Sequence, residues 1–255
     1  MYNFHKKLFF KSIKRYSILF AIFLFACQQK DKKQIVHITP YQQNRFIKIK
    51  KSVSSLERQF ISKQLVDVQT LDSTIKVALT YSTPHNFLHK IIYANLSKCY
   101  LPCEVAIKLC NAQWYLKQLF PQYTIVVFDA TRPLSAQQKM WNELDLAPAI
   151  KINYLAHPSA ISLHNYGAAV DVGLAVQSGE LLDMGTAFDS FEALSQPIKE
   201  WQFLKEKKLT QQAYENRVLL RKVMRKAGFT SISSEWWHFN ATNKCVASQK
   251  YELIQ

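Results

Sequence analysis

The stretch Ser162-Leu-His164-Asn-Tyr-Gly167-Ala-Ala169-Val-Asp171, answered far downstream by Glu235-Trp-Trp-His238, decides how this chain is read. Together the two segments supply two imidazoles, a carboxylate in an apolar setting, and a second carboxylate three residues before the last imidazole. A catalytic zinc takes three protein ligands and keeps a fourth position for water. Hydrolysis also needs a nearby carboxylate to accept that water's proton. His164, Asp171 and His238 are therefore the candidate ligands of one zinc ion per chain, and Glu235 is the candidate base. The interval of seven between His164 and Asp171 suits a turn entering a strand better than one helical face. Gly167 lets the chain turn between them, and Ala168 and Ala169 leave room around an ion.

Strands and helices can be placed around these segments. Ile75–Leu79 alternates and reads as a strand leading to Tyr81. Val105, Leu109, Ala112, Leu116 and Leu119 follow a 4-3-4-3 rhythm that gives a helix one apolar face, with Pro102 at its start and Pro121 at its end. Tyr123–Phe128 is a continuous apolar run, so a buried strand, and it stops at Asp129-Ala-Thr-Arg132-Pro133. Ala168–Leu174 is a second buried strand carrying Asp171. Leu220, Val223, Met224 and Ala227 mark a helix that Gly228 can end in the left-handed conformation, and Trp236–Phe239 make a last strand. Elements mix without strict strand–helix alternation, which favours an α+β fold.

At 255 residues, 48% hydrophobic and 20% charged, the chain has the composition of an ordinary globular protein. Its formal charge is +15, but Lys6, Lys7, Lys11, Lys14 and Arg15 lie in the first 26 residues with no acid, so +10 remains without that segment. The remaining basic residues are scattered and accompany no nucleic-acid motif, so no nucleic-acid partner is expected. Residues 1–26 read as a targeting segment: a basic stretch, then the apolar run Ile18–Ala26, too short to span a bilayer. Leu24-Phe25-Ala26-Cys27 resembles a bacterial lipobox, with Cys27 as the lipidated residue; a plain secretory signal is the alternative. Both readings take the protein out of the cytoplasm, to the periplasm or cell envelope, and the first anchors it to a membrane. Residues 27–65 read as a polar, basic tether and 66–250 as the catalytic domain. The pairing of Cys99, Cys103, Cys110 and Cys245 is open between disulfides and buried thiols.

Other candidates are weaker. His85 and His89 have helical i, i+4 spacing but lack the glutamate of a helical zinc motif, so they read as bystanders. His157 reads as a loop residue. Trp236 and Trp237 could form a stacking platform for carbohydrate, but side chains of this kind more often fill a core.

The two opening segments resemble the SxHxxGxAxD and ExWH signatures of D-alanyl-D-alanine dipeptidases of the VanX type, within the zinc D,D-peptidase family. Tyr81-Ser-Thr-Pro-His-Asn86-Phe87, Asp129–Pro133, Leu182–Asp189 and Asn216-Arg217…Gly228-Phe229 resemble that family in the same order, so the likeness covers roughly residues 66–240. It implies a Hedgehog/D,D-peptidase-like single domain, with a central, mainly antiparallel sheet flanked by helices. It also implies hydrolysis of D-Ala-D-Ala to two D-alanines in cell-wall peptide turnover. By the same resemblance His164, Asp171 and His238 hold zinc, Glu235 is the general base, and Arg132 steadies the oxyanion. Tyr81, Ser162 and Asp189 would hold the small D,D-dipeptide. Ala130-Thr131 stands where the family commonly has Gly-Tyr, and Asn165-Tyr166 replaces a small or basic pair, so the pocket wall and substrate fit are expected to differ. Two alternatives stay open: a peptidoglycan D,D- or L,D-carboxypeptidase or endopeptidase of the same family, and a non-catalytic zinc-binding surface lipoprotein.

Overall fold

The apolar run that ends at Asp129 is the strand on which the sheet is built: all but the first of its residues are buried. The structure is a computed structural model and describes residues 53–152 and 155–255. In chain order its elements are α1 (Ser55–Ser62), β1 (Val66–Asp67), α2 (Val68–Leu71), β2 (Lys76–Val77), β3 (Tyr100–Leu101), α3 (Cys103–Leu119), β4 (Tyr123–Asp129), α4 (Leu134–Glu143) and α5 (Pro148–Lys151). There follow β5 (Ala169–Val176), α6 (Glu200–Lys205), α7 (Gln211–Lys226), β6 (Thr230–Ser231), β7 (His238–Asn240) and α8 (Lys244–Lys250). Five strands form one sheet in the order β2-β4-β5-β7-β6, in which only the β2–β4 pair is parallel. The α+β class and the mainly antiparallel sheet are thus as the sequence implied.

Helix α3 buries Val105, Ala106, Leu109, Ala112 and Leu116 completely, so the 4-3-4 spacing does mark its core face. Leu119, at the last position, is left exposed because the helix ends there. Gln113, also on α3, ties helix to sheet: its carbonyl accepts from Ile125 N (2.8 Å) while its amide donates to Thr74 Oγ1 and Thr124 Oγ1. A fully buried amide with partners for both ends avoids the desolvation penalty that an unpaired one would carry. Helix α7 packs on α3 through Leu220, Val223 and Met224, and Gly228 follows it with φ +88°, the left-handed stop expected.

The boundary expected at Val66 falls too late. Phe60 on α1 is fully buried and its ring packs 5.7 Å from that of Tyr100. Glu57, one turn earlier, accepts from Tyr100 Oη (2.6 Å) and Lys98 Nζ (2.9 Å). Residues 55–65 therefore belong to the folded unit, which begins at Val53. The far end also extends past residue 250. Ile254 is buried, its N–H bonds Asn165 O and its carbonyl accepts from Leu134 N, both at 2.8 Å. The targeting segment, Cys27 and most of the expected tether lie outside the described residues. Cys99 and Cys110 are buried free thiols, and Cys245 is free and exposed.

Removing the ring of Phe60 leaves a void in a core position, so Phe60→Ala should cost about 3–5 kcal/mol of unfolding free energy. Urea denaturation of the full chain measures it. A loss below about 1 kcal/mol would mean α1 is not part of the core.

Candidate metal centre and active site

Three strands place three acidic or basic side chains in one cross-strand row. Asp129 on β4 is paired with Asp171 on β5, and Asp171 with His238 on β7. Directly opposed residues project from the same face of a sheet. The β4–β5 register shifts between Val127 and Asp129, and this irregularity at Phe128 brings Asp129 level with Asp171. His164 enters from a short 3₁₀ turn, Leu163–Tyr166, that runs into β5. Ser162 Oγ caps that turn by accepting from His164 N (3.3 Å), and Asn165 Oδ1 returns the favour to Ser162 N (2.6 Å). Gly167 ends the turn at φ +63°, where a Cβ would meet Thr131 Oγ1 at 2.6 Å and Pro102 Cδ at 2.7 Å. Only glycine fits both the conformation and the space.

The result is a triangle of donor atoms. His164 Nε2 lies 3.2 Å from His238 Nδ1, which lies 3.0 Å from Asp171 Oδ1, and the third edge is 3.4 Å. Ligands about 2.0–2.1 Å from a tetrahedral ion stand about 3.3 Å apart, so the three edges match such a site. The outer ring nitrogens are both committed. His164 Nδ1 meets Ala130 O at 2.7 Å, and His238 Nε2 meets Asn240 Oδ1 at 2.7 Å. Each partner is an acceptor, so each outer nitrogen carries the proton and each inner nitrogen offers a lone pair. Two lone pairs and a carboxylate oxygen then face one another, an arrangement that a cation satisfies. His164 and Asp171 are buried, and the side chain of His238 is 13% exposed.

Protonation directions fit this. Burial alone would raise Asp171, but His164 and His238 outweigh it and hold the carboxyl far below the usual range. Burial would lower His238, yet its hydrogen bond to Asp171 raises it above the ordinary imidazole value.

Glu235 stands apart from the triangle, with Oε2 3.9 Å from His238 Nδ1. Although protein surrounds it closely, its side chain keeps 37% of its surface accessible. Burial raises its pKa, against the pull of His238. Arg132 is buried on the other side, where its Nε and Nη2 donate to Asp129 Oδ2 at 2.9 and 2.6 Å. Its Nη2 is 3.8 Å from Asp171 Oδ2, and the guanidinium lies 5.4 Å from the centre of the Tyr81 ring. Burial would lower Arg132, but Asp129 reverses the sign and keeps it charged. Tyr81 Oη donates to Asp189 Oδ2. Burial raises Asp189 well above the usual carboxyl range, and Asp171 and Glu235 push the same way. The region is thus rich in carboxyl groups with a single guanidinium among them.

All eight residues singled out in the described part of the sequence are located, but not all in the manner expected. His164, Asp171, His238, Glu235 and Arg132 converge, with Tyr81 and Asp189 joined beside Arg132. Ser162 has its oxygen occupied as a turn cap, leaving only its hydroxyl hydrogen to offer elsewhere. Thr131 donates to Tyr100 O (2.6 Å) and its hydroxyl lies against Gly167, so this departure from the family pattern falls at the support of the ligand turn. Asn165 is likewise fully buried, and its amide donates to Arg132 O at 2.8 Å. His85, His89 and His157 are exposed, and Trp236 and Trp237 are buried as core. Sequence reasoning passed over Asp129, whose Oδ1 also accepts from Tyr93 Oη (2.6 Å), and Asn240. Asn240 could have been found: it lies two residues beyond His238 on a strand, hence on the same face.

Comparison with known proteins places the chain in a family. The Peptidase M15 family, described as D-ala-D-ala dipeptidase, matches residues 61–255. The D-alanyl-D-alanine dipeptidase of Escherichia coli (strain K12) is 30% identical over 176 residues, covering 69% of this chain and 83% of the relative. Its namesake from Synechocystis sp. is 29% identical over 185 residues (62% and 75%), and that of Enterococcus faecalis 29% over 152 (53% and 69%).

An ion entering the triangle competes with protonation of His238, whose raised pKa favours the charged form. Ion affinity should therefore fall as pH drops, because the ligand nitrogen must be unprotonated to bind. Calorimetric titration with zinc over a series of pH values measures it. A pH-independent affinity would contradict the proton assignment.

Proposed function

The chain belongs to the Peptidase M15 family of D-Ala-D-Ala dipeptidases, and from that premise we propose that it is a zinc-dependent dipeptidase that cleaves D-Ala-D-Ala into two D-alanines. The observation that carries this reading is the triangle of unprotonated donor atoms beside an unligated carboxylate. Two neutral imidazoles and one carboxylate suit zinc, and leave it one net positive charge. Zinc bound there would polarise the scissile carbonyl and lower the pKa of water.

The remaining work falls to the chain's own groups. Glu235 accepts the proton from the attacking water and passes it to the leaving amine; burial raises its pKa and so makes it a better base for the first transfer. Arg132, held charged by Asp129, faces the oxygen that gains negative charge. Asp189 and Tyr81 receive the substrate's ammonium end. That cation would favour the ionised form of Asp189 and relieve the repulsion among the carboxyl groups around it. Ser162 retains one hydroxyl hydrogen that can be donated to the substrate.

Tyr81 and Asp189, joined by a hydrogen bond beside Arg132, would suit a free ammonium end, which favours a free dipeptide over a stem peptide of the cell wall. The enzyme acts outside the cytoplasm, in turnover of cell-wall peptides. The N-terminal sequence supports that location, with Cys27 as the point of lipid attachment to a membrane.

Purified, zinc-loaded protein should release D-alanine from D-Ala-D-Ala and act far more slowly on a D-Ala-D-Ala-terminated pentapeptide. Chelation should abolish the activity, and Glu235→Gln should lower kcat by about 10²–10⁴ while zinc content stays unchanged. A preference for the pentapeptide would move the assignment to a carboxypeptidase; full activity of Glu235→Gln would remove Glu235 as the base. In cells, Cys27→Ser should shift the protein from the membrane to the soluble fraction.

A further inference from the structure

The segment from Leu182 to Ser195 leaves the hairpin after β5, runs over the sheet and returns at Ala193–Ser195. Asp189 sits at its inner bend with φ +59°, a left-handed conformation that must be held in place. Packing holds only part of this strap. Phe188 stacks on Phe128 at 5.0 Å, yet a cavity of about 250 Å³ lies beneath, lined by Phe128, Leu174, Leu182, Met184, Phe188 and Trp236 among others.

The firm attachments are polar and come from α7. Arg217 is 0% exposed, and its Nε donates to Met184 O (2.6 Å) while its Nη1 donates to Leu194 O (3.0 Å). One guanidinium thus ties both ends of the strap together. Glu200 Oε1 balances its charge at 3.3 Å and is shared with Arg221. Asn216, the preceding residue, donates to Asp183 O at 2.7 Å. The same guanidinium lies 5.8 Å from the ring centre of Trp236, whose Nε1 donates to Thr186 Oγ1 at 2.8 Å. Trp236 adjoins Glu235, so a single buried cation touches both the strap and the segment that carries the base.

We propose that Arg217 is a positioning residue: it fixes the two ends of the 182–195 strap so that Asp189 meets Tyr81 where the substrate's ammonium end binds. The substrate half of this statement rests on the dipeptidase reading; the anchoring half does not. Arg217 acts through the strap and touches no reacting atom. Lysine keeps the charge for Glu200 but has no planar fork to span two carbonyls.

The test uses full-length, zinc-loaded Arg217→Lys and, as a second variant that leaves Arg217 in place, Gly185→Ala. A Cβ at Gly185, where φ is +81°, would meet Leu209 Cδ1 at 2.3 Å and Arg217 Nη2 at 3.2 Å, so it pushes the strap off α7 by another route. Both variants should raise KM for D-Ala-D-Ala about tenfold or more with a smaller change in kcat and no change in zinc content. Amide hydrogen exchange should speed up across residues 183–195 while residues 164–172 and 236–240 keep wild-type protection. Unchanged exchange in the strap, equal acceleration in all three segments, or a loss confined to kcat would each overturn the proposal. Wild-type protein that leaves the dipeptide intact would instead refute the dipeptidase reading, and the exchange pattern would still decide the anchor.

Discussion

Three acceptor atoms held within 3.4 Å of one another, with the outer nitrogen of each imidazole already donating elsewhere, are the constraint around which this protein is arranged. Lone pairs so placed repel, and nothing inside the triangle can donate to them when both imidazoles are neutral. A cation, or a proton in its stead, has to enter. The fold's part is to make that crowding unavoidable. The β4–β5–β7 row fixes Asp171 and His238, and the glycine-ended turn swings His164 onto them. Ala130 O and Asn240 then lock the ring tautomers.

The same row explains why Arg132 can sit so close to an ion. A bare guanidinium beside a divalent cation would weaken it by repulsion. Asp129 takes two of the arginine's N–H groups on one oxygen and binds Tyr93 with the other. The pair is nearly neutral seen from the ion, yet neither bond uses Nη1. Arg132 is also tied to the ligand turn through its backbone: its N–H donates to His164 O at 3.0 Å and its carbonyl accepts from the buried Asn165. Displacing His164 would therefore displace Arg132 with it.

What could be read from the sequence follows from locality. Turn, strand and ligand all lie within Ser162–Asp171, and Gly167 announces the turn, so His164 and Asp171 were legible as a pair. Helix α3 was legible because its apolar face has a clear period. The start of the domain was not. Phe60 is buried against Tyr100, a partner forty residues on, and a short segment rich in Lys, Arg and Gln gives no sign of such a contact. Asp129 lacked a visible role because its meaning depends on an irregular register with β5, which no local pattern encodes. Ser162 reads from the family resemblance as a substrate contact, whereas in the fold a backbone N–H at the head of the turn also claims its oxygen.

The two halves of the site are built in different ways, and this bears on how each can change. The ion side stands on paired strands, where a one-residue slip would turn every side chain to the opposite face. Small adjustments are not available there. The amino-end side stands on a strap whose middle bridges a cavity and whose ends hang on Arg217 and Asn216. Substitutions lining that cavity can shift Asp189 and Tyr81 without touching a ligand, since Phe188, next to Asp189, stacks on Phe128 and meets Tyr81 and Trp237 edge-on. Substrate preference in such an architecture can drift while the hydrolytic chemistry stays fixed. Under the dipeptidase reading proposed above, the strap would set the length of peptide accepted, and the sheet the reaction performed on it.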